Sequence, residues 1–265
     1  MGELPKRIAT GLVLVAVAVA ALWAGGIAFA ALAAVAVLLM WVEWTAMHRL
    51  PLPVRRIGLA VLALMLWITA VLQNPSEGLM LLGGAAGLLM ILAGKLVRGA
   101  GRPAAIGLLY CGLPGIALVW LRGQGWGLYA TLLLMLVVWG ADIAAYFTGR
   151  ALGGPKLAPA ISPNKTWSGA AGGLLGAVAA AVLLTLVWPG YANIAGAQRL
   201  ALLAVPLAVL SILGDLYESW LKRRCGVKDS GTILPGHGGV MDRLDGLVPV
   251  AVAGAGVFAM TGWAG

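Results

Sequence analysis

Long apolar runs separated by short polar segments dominate this chain. Nine runs are near or above the ~17 residues that a helix needs to cross a bilayer. We predict membrane-spanning helices at 8–24, 27–47, 57–73, 78–94, 105–121, 126–148, 168–188, 199–220 and 246–264. Helices are favoured over a barrel because apolar and polar residues do not alternate along these runs. The pattern predicts an all-α polytopic membrane protein, folded as a single membrane domain over residues 1–265.

The composition agrees with this class. Of the 265 residues, 62% are hydrophobic and only 10% are charged, whereas a soluble domain carries about 25% charged residues. The first apolar run follows Lys6 and Arg7 as in a signal peptide, but the next begins at Ile27 with no polar domain between them. We therefore interpret the first run as an uncleaved span. Cys111 and Cys225 form no CxxC pair, so neither a disulfide nor a zinc framework is predicted.

The basic residues predict an orientation. A net charge of +9 could suit nucleic-acid binding, but in a membrane protein it more often reflects Lys and Arg in cytoplasmic loops. The nine spans put sixteen of the eighteen Lys and Arg residues on one side and only Arg122 and Arg199 on the other. We therefore predict a cytoplasmic N-terminus, a C-terminus on the opposite side, and no nucleic-acid partner.

Glycine pairs and tryptophans give weaker expectations. The pairs Gly83/Gly87 and Gly172/Gly176 would allow close helix packing, although a glycine-rich membrane protein also carries such pairs by chance. Trp41, Trp44 and Trp188 are expected to anchor helix ends at the membrane interface rather than to bind a ligand.

Carboxylates are few and point to one side of the membrane. Only nine acidic residues occur, and Glu43, Asp142, Asp215 and Glu218 lie within or at the cytoplasmic ends of predicted spans. A carboxylate in a span is costly and is a functional candidate by default. Their shared side suggests one site rather than a path across the membrane.

The spacing of these residues suggests a metal site. Asp215, Glu218, Ser219 and Lys222 stand at i, i+3, i+4 and i+7, and so share a helix face. Asp242 and Asp245 are again three apart. Two acidic pairs flanking one loop could hold divalent cations through oxygen ligands. Helix-end salt bridges with neighbouring Lys and Arg residues are the alternative.

The loop between the two pairs is basic and rich in glycine. Lys222, Arg223, Lys228 and Arg243 could neutralise phosphates, and the backbone N–H groups of Gly236, Gly238 and Gly239 could approach them closely. His237 could be a substrate contact, a general acid, a ligand or a loop residue, and we favour the substrate contact. Metal-binding acids beside phosphate-binding bases suit a nucleoside triphosphate with Mg²⁺.

This segment resembles the signature of the phosphatidate cytidylyltransferases, also called CDP-diacylglycerol synthases. The pattern S-x-x-K-R-x4-K-D-x-G-x2-L-P-G-H-G-G-x-x-D-R-x-D matches without a gap from Ser219 to Asp245. Three upstream pieces are similar to the same family: Trp41 to Trp44, Asp142 to Arg150, and Ser162 to Ser168. The resemblance implies an inner-membrane enzyme that uses CTP and phosphatidic acid, requires Mg²⁺ (with room for a second cation), releases pyrophosphate and forms a homodimer.

Residue roles follow from the pattern and the resemblance together, within the cytoplasmic segments 142–168 and 215–245. Asp215 and Asp242 are the predicted primary metal ligands, with Glu218 and Asp245 in the same cluster or just outside it. Asp142 is expected to orient the reacting groups, and Ser168 to cap the seventh helix. The predicted substrate- and phosphate-binding residues are Lys165, Ser219, Lys222, Arg223, Lys228, Gly236, His237, Gly238, Gly239 and Arg243.

Two other functions compete with this prediction. A transporter would also carry acids in its spans, but it predicts acids through the membrane depth and on both sides. A CTP-dependent polyisoprenoid kinase, such as one acting on dolichol, shares the nucleotide and the basic loops, and differs in its lipid.

Overall fold

The structure is a computed structural model that describes residues 3–188, 196–234, 236 and 238–262, with side chains from residue 10 onward. Most described residues are helical. The helices are α1 (Glu3–Ala24), α2 (Gly26–Met47), α3 (Leu52–Leu72), α4 (Pro75–Leu96), α5 (Gly101–Gly123), α6 (Gly127–Leu152), α7 (Trp167–Val187), α8 (Ala197–Arg224), α9 (Met241–Leu244) and α10 (Leu247–Thr261). Two short strands, β1 (Lys156–Ala158) and β2 (Ser162–Thr166), lie between α6 and α7.

Turn residues set several helix boundaries. Gly25 adopts a φ of 63° between α1 and α2, a backbone conformation that favours glycine. Pro51 precedes α3 and Pro75 begins α4, where the missing N–H costs no helical hydrogen bond. Asn74 caps α4, because its side-chain oxygen accepts a hydrogen bond from the Ser76 N–H at 3.0 Å.

Seven of the described helices, α2 to α8, are long and apolar enough to cross a membrane. Each coincides with a predicted span. The remaining two predicted spans, 8–24 and 246–264, correspond to the shorter apolar stretches Thr10–Ala24 and Leu247–Thr261. The fold is thus that of an all-α polytopic membrane protein, while the count of nine spans and the orientation stay predictions.

The backbone divides into two compact units. Unit 1 comprises Met1–Gln124 and Cys225–Leu244, and unit 2 comprises Gly125–Arg224 and Asp245–Gly265. Each unit therefore combines a continuous block of helices with a piece from the C-terminal part of the chain. The prediction of a single membrane domain stays a prediction.

Two tryptophans of α2 form the centre of unit 1. Trp41 and Trp44 are buried, and their indole N–H groups donate to the backbone oxygens of Arg55 and Pro103, each at 2.9 Å. Gly58 and Gly107 make room for them, since a Cβ at either glycine would overlap an indole ring. The prediction that these tryptophans anchor the helix at the membrane interface is wrong, because they are core residues.

Small residues hold α6 and α7 together in unit 2. A Cβ on Gly176 would overlap the Gly140 carbonyl oxygen, and one on Gly172 would overlap the Thr148 side chain. Close backbone approach of this kind is typical of small residues in membrane helices. The packing prediction for Gly172/Gly176 is confirmed. Gly83 and Gly87, by contrast, have no described atom within 4 Å of a built Cβ.

An antiparallel hairpin between α6 and α7 departs from the all-helical prediction. Gly153 and Gly154 end α6 with φ values of 62° and 100°, and the strands then pair Lys156 with Thr166. Thr166 caps α7, since its Oγ1 accepts from the Gly169 N–H at 3.1 Å. The prediction that Ser168 is the cap is wrong, because its hydroxyl donates to the Gly153 oxygen instead.

Candidate active site

Unit 2 gathers carboxylates along one face of α8. The Ser219 hydroxyl donates to Asp215 Oδ1 at 3.3 Å, and Lys222 Nζ lies 3.5 Å from Glu218 Oε1. These contacts agree with the shared helix face predicted from the spacing. From the β-hairpin, the ammonium of Lys165 forms an ion pair with Asp215 Oδ2. The Asp215 and Lys165 side chains are partly exposed, whereas Glu218 is fully buried.

Two further carboxylates belong to this cluster. Asp245 interacts with Glu218, and its Oδ1 accepts from the Gly246 N–H at 2.8 Å. Burial, together with the negative charge of Asp215, raises the pKa of the Asp245 carboxyl. Asp142 on α6 interacts electrostatically with Asp245, Asp215 and Lys165. The acids predicted at Asp142, Asp215, Glu218 and Asp245 are thus neighbours.

A glycine allows the approach of Asp245 to α8. A Cβ on Gly214 would overlap the Asp245 carbonyl oxygen and lie 2.8 Å from Pro249 Cγ. Any larger residue at position 214 would therefore push the start of α10 away from α8. The carboxylate cluster of unit 2 depends on this close contact.

A cavity of about 770 Å³ opens beside these acids within unit 2. Asp142, Asp215 and Lys165 line it, and Arg150, Lys156 and Asn164 add exposed polar side chains to its wall. Arg150 Nη1 donates to the Tyr146 hydroxyl at 2.8 Å. A cavity that combines acidic and basic side chains suits a phosphate ligand accompanied by a cation.

Unit 1 contains the signature loop, which we define as residues 228–242. The Asp242 carboxylate organises one end of it. Asp242 Oδ2 accepts hydrogen bonds from the Ser230 N–H at 3.0 Å, the Ser230 hydroxyl at 3.0 Å and the Gly239 N–H at 2.8 Å. Gly238, with a φ of 81°, places its backbone beside this carboxylate, and a Cβ there would lie 2.8 Å from Asp242 Oδ2.

Glu43 of α2 contacts the same loop. Its carboxylate accepts from the N–H groups of Val240 and Met241 at 2.8 and 2.9 Å. It also shares the single proton of the Ser230 hydroxyl with Asp242, at an O···O distance of 3.1 Å. Sequence analysis made Glu43 a functional candidate as an acid within or at the end of a span, but it assigned no partner to Glu43 and no role to Ser230. The available signal was a carboxylate in an otherwise apolar helix, but nothing indicated its partners.

The predicted phosphate-binding residues fall into both units. Arg223 in unit 2 and Lys228 and Arg243 in unit 1 have exposed side chains. Gly236 adopts a φ of 75°, and the Leu234 N–H donates to the Gly238 oxygen at 2.9 Å. His237 lies outside the described residues.

The two units therefore hold different parts of the predicted set. Unit 2 contains Asp142, Lys165, Asp215, Glu218, Ser219, Lys222, Arg223 and Asp245, whereas unit 1 contains Lys228, Gly236, Gly238, Gly239, Asp242 and Arg243. Within unit 2 Asp245 interacts with Glu218, and within unit 1 Asp242 accepts a hydrogen bond from Ser230.

The carboxylates fit a hard divalent cation by their chemistry. Asp215, Glu218 and Asp245 offer oxygen donors, the ligand type that Mg²⁺ takes. Within residues 3–188, 196–234, 236 and 238–262, no three carboxylate, histidine or cysteine side chains form a group that could hold a metal ion. The Asp215 oxygens instead contact Lys165 and Ser219.

Comparison with known proteins covers almost the whole chain. The model of the cytidylyltransferase family matches residues 5–260. A phosphatidate cytidylyltransferase of Brucella suis biovar 1 (strain 1330) is 43% identical over 256 residues, which is 95% of this chain and 92% of that relative. The Haemophilus influenzae phosphatidate cytidylyltransferase is 48% identical over 127 residues, 46% of this chain and 42% of that relative. The Pseudomonas aeruginosa one is 45% identical over 131 residues, 49% and 47% of the two chains.

Proposed function

Because the chain belongs to the cytidylyltransferase family, we propose that it is a phosphatidate cytidylyltransferase, which transfers CMP from CTP to phosphatidic acid. The products are CDP-diacylglycerol, an intermediate of phospholipid biosynthesis, and pyrophosphate. The observation that carries this conclusion is the 43% identity to the Brucella suis phosphatidate cytidylyltransferase over 95% of this chain. The same similarity disfavours the transporter and the polyisoprenoid kinase.

The reaction needs positioning more than a strong base. The phosphate of phosphatidic acid is already an anionic nucleophile. One of its oxygens forms a bond to the α-phosphorus of CTP, while the bond from that phosphorus to the oxygen bridging the α- and β-phosphates breaks. The electron pair leaves with pyrophosphate. Bringing two polyanions together requires positive charge and fixed geometry.

Basic side chains of unit 2 supply part of that charge in this proposal. Lys165 lies at the cavity wall, so a substrate phosphate there would meet its ammonium, with Lys222 and Arg223 on the adjoining helix α8. Asp142 in the same cavity would orient the reacting groups. Ser219, which donates to Asp215, would hold that carboxylate in place and offer a further substrate contact.

The signature loop supplies the second group of phosphate contacts. We assign this role to Lys228, Arg243, His237 and the N–H groups of Gly236, Gly238 and Gly239. The exposure of Lys228 and Arg243 supports the assignment, since a side chain must be accessible to reach a substrate.

Mg²⁺ is the proposed cofactor, with room for a second cation. The side chains proposed to bind cations are Asp215, Glu218 and Asp245 within unit 2 and, as a separate candidate, Asp242 within unit 1. When bound, the cation would supply positive charge that offsets the charge of the substrate phosphates. The oxygen-donor chemistry of these side chains supports the proposal.

The proposed topology has nine spans in the inner membrane, a cytoplasmic N-terminus and an active site on the cytoplasmic face. A reporter enzyme that works only outside the cytoplasm should therefore be active when it is fused to the C-terminus. The sixteen-to-two distribution of Lys and Arg supports this orientation. Activity of a C-terminal fusion with a reporter that works only in the cytoplasm would contradict it. Homodimer formation is proposed from the family alone.

Loss of both thiols should leave catalysis intact. Cys111 is buried and Cys225 is half-buried, and direct transfer uses no thiol. Cys111→Ser with Cys225→Ser is expected to retain activity within about twofold, measured as CDP-diacylglycerol formed per mole of folded enzyme. Serine nearly preserves the volume of cysteine, so a complete loss without unfolding would point to a thiol role in the reaction.

Direct transfer also predicts the kinetic order. Both substrates must be bound before pyrophosphate leaves, so initial rates should follow a sequential pattern. Labelled pyrophosphate should not exchange into CTP when lipid is absent. In the assigned set the Ser219 hydroxyl donates to the Asp215 carboxylate. We assign Asp215 to cation binding rather than to deprotonation of Ser219, so no covalent nucleophile is proposed. Parallel-line kinetics, or lipid-independent exchange that is lost in His237→Ala, would instead make His237 the nucleophile.

A further inference from the structure

The carboxylate of Glu43 is buried under the signature loop. Glu43 is only 2% exposed. Oε1 accepts from the Val240 N–H at 2.8 Å, whereas Oε2 accepts from the Met241 N–H at 2.9 Å and the Ser230 hydroxyl at 3.1 Å. These three donors lie 187 to 198 positions further along the chain. One side chain of α2 thus fixes two separate points of the loop.

Hydrogen bonds, rather than a cation, satisfy this carboxylate. Lys165 pairs with Asp215 and Lys222 pairs with Glu218, and Glu43 takes part in neither ion pair. Burying a carboxylate is costly unless donors compensate for its lost hydration. The N–H groups of Val240 and Met241 equally need an acceptor in this buried place. The carboxylate and the loop backbone therefore stabilise each other.

Two glycines let the loop backbone lie directly against Glu43. A Cβ on Gly231 would be 2.8 Å from Glu43 Oε1, and one on Gly239 would be 2.7 Å from Oε2 and would overlap Ser230 Oγ. Cβ atoms essentially never lie this close to a non-bonded heavy atom. Gly231 and Gly239 are consequently required by the side chain beneath them, apart from any contact with substrate.

Ser230 connects Glu43 to the predicted metal ligand. Its hydroxyl oxygen lies 3.1 Å from Glu43 Oε2 and 3.0 Å from Asp242 Oδ2. We propose that Glu43 is a positioning residue for the signature loop. Its carboxylate holds the 240–241 backbone directly and the Asp242 carboxylate through Ser230. This inference rests on the proposed function, in which the loop binds substrate.

Three substitutions at two positions test the inference. Glu43→Gln keeps the side-chain volume but turns one acceptor into a donor that faces the loop N–H groups or the Ser230 hydroxyl. Glu43→Asp keeps both acceptors on a shorter side chain. Ser230→Ala removes the hydroxyl that contacts both Glu43 and Asp242, and keeps the Ser230 N–H that donates to Asp242. The matched control is Glu77→Gln, which removes an exposed carboxylate of the same unit.

The measurement is kcat and KM for CTP and for phosphatidic acid, per mole of folded protein, together with the thermal unfolding midpoint. An unsatisfied buried donor corresponds to about a tenfold to hundredfold effect. We expect kcat/KM to fall by that factor in Glu43→Gln, by less in Glu43→Asp, and by about tenfold in Ser230→Ala. Glu77→Gln should match the wild type.

The order of the variants separates positioning from packing. A packing role alone would favour Glu43→Gln over Glu43→Asp, because glutamine preserves the volume, and that order would overturn the inference. If Glu43→Gln does not fold, Ser230→Ala decides, and wild-type kinetics there would contradict the proposed connection. Combining Glu43→Gln with Ser230→Ala should cost less than the two separate effects multiplied, since both act on one hydrogen-bonded chain.

Failure of this inference is distinguishable from failure of the proposed function. If the protein is not a phosphatidate cytidylyltransferase, the wild type forms no CDP-diacylglycerol. If only the inference is wrong, the wild type is active and Glu43→Gln and Ser230→Ala match it.

Discussion

Asp215→Asn is expected to lower kcat/KM for CMP transfer by at least about a hundredfold while the protein still folds. Asp215 lines the cavity, accepts from Ser219 and pairs with Lys165, and we propose that it also binds Mg²⁺. Asparagine keeps the size and one oxygen but removes the charge. Loss of a residue that merely orients a metal ligand already costs tenfold to a hundredfold, so loss of the ligand itself should cost at least as much.

The measurement for Asp215→Asn is the initial rate at several Mg²⁺ concentrations in detergent, with the unfolding midpoint as the folding check. Glu77→Gln is the control, because it removes a carboxylate that is exposed and outside the cavity. Near-normal activity at saturating Mg²⁺ would remove Asp215 from the proposed metal site. It would leave the Lys165 ion pair as the role of Asp215.

Asp242→Asn should cause a loss of similar size, because we propose that Asp242 also binds a cation. Asp242 Oδ2 accepts from the Ser230 N–H, the Ser230 hydroxyl and the Gly239 N–H. An asparagine oxygen can keep these hydrogen bonds, so this substitution removes the charge and spares the loop. Asp242→Ala removes the charge and the hydrogen bonds together, and should also lower the unfolding midpoint.

Comparison of the two Asp242 variants separates the metal role from the loop role. A drop of at least about a hundredfold in both, with an unchanged midpoint in Asp242→Asn, supports the charge as the essential feature. Full activity in Asp242→Asn with a loss only in Asp242→Ala would assign Asp242 to loop structure alone.

Apolar run length was enough to predict most of the helices. The prediction of 27–47 agrees with Gly26–Met47, and 168–188 agrees with Trp167–Val187. Predicted ends were less accurate where a helix continues past its apolar run into polar residues. The span in helix α8 was predicted to end at residue 220. The helix continues to Arg224, and its last turn carries the basic residues Lys222, Arg223 and Arg224.

Features that depend on distant residues escaped sequence analysis. The hairpin of Lys156–Ala158 and Ser162–Thr166 shows neither alternation nor a long apolar run. The burial of Trp41 depends on the space left by Gly58, and no local pattern shows that pairing. The same holds for the contacts of Glu43 with Ser230 and Val240.

The sequence was enough to predict which residues form the candidate site, but it predicted fewer of the contacts between their side chains. Spacing placed Asp215, Glu218, Ser219 and Lys222 on one face. The Ser219 hydroxyl does contact Asp215, and Lys222 does pair with Glu218. The sequence did not indicate that Lys165 would pair with Asp215, because that contact requires the β-hairpin to fold back towards α8.

Transfer of α-labelled CMP to phosphatidic acid by the purified protein tests the central claim most directly. The detergent-solubilised enzyme would be incubated with Mg²⁺, phosphatidic acid and CTP labelled on either the α- or the γ-phosphate. The account predicts that α-label enters the lipid as CDP-diacylglycerol while γ-label leaves as pyrophosphate. Label from the γ-phosphate in the lipid fraction, with CDP as the soluble product, would reveal a kinase and contradict the account, as would the absence of any labelled lipid.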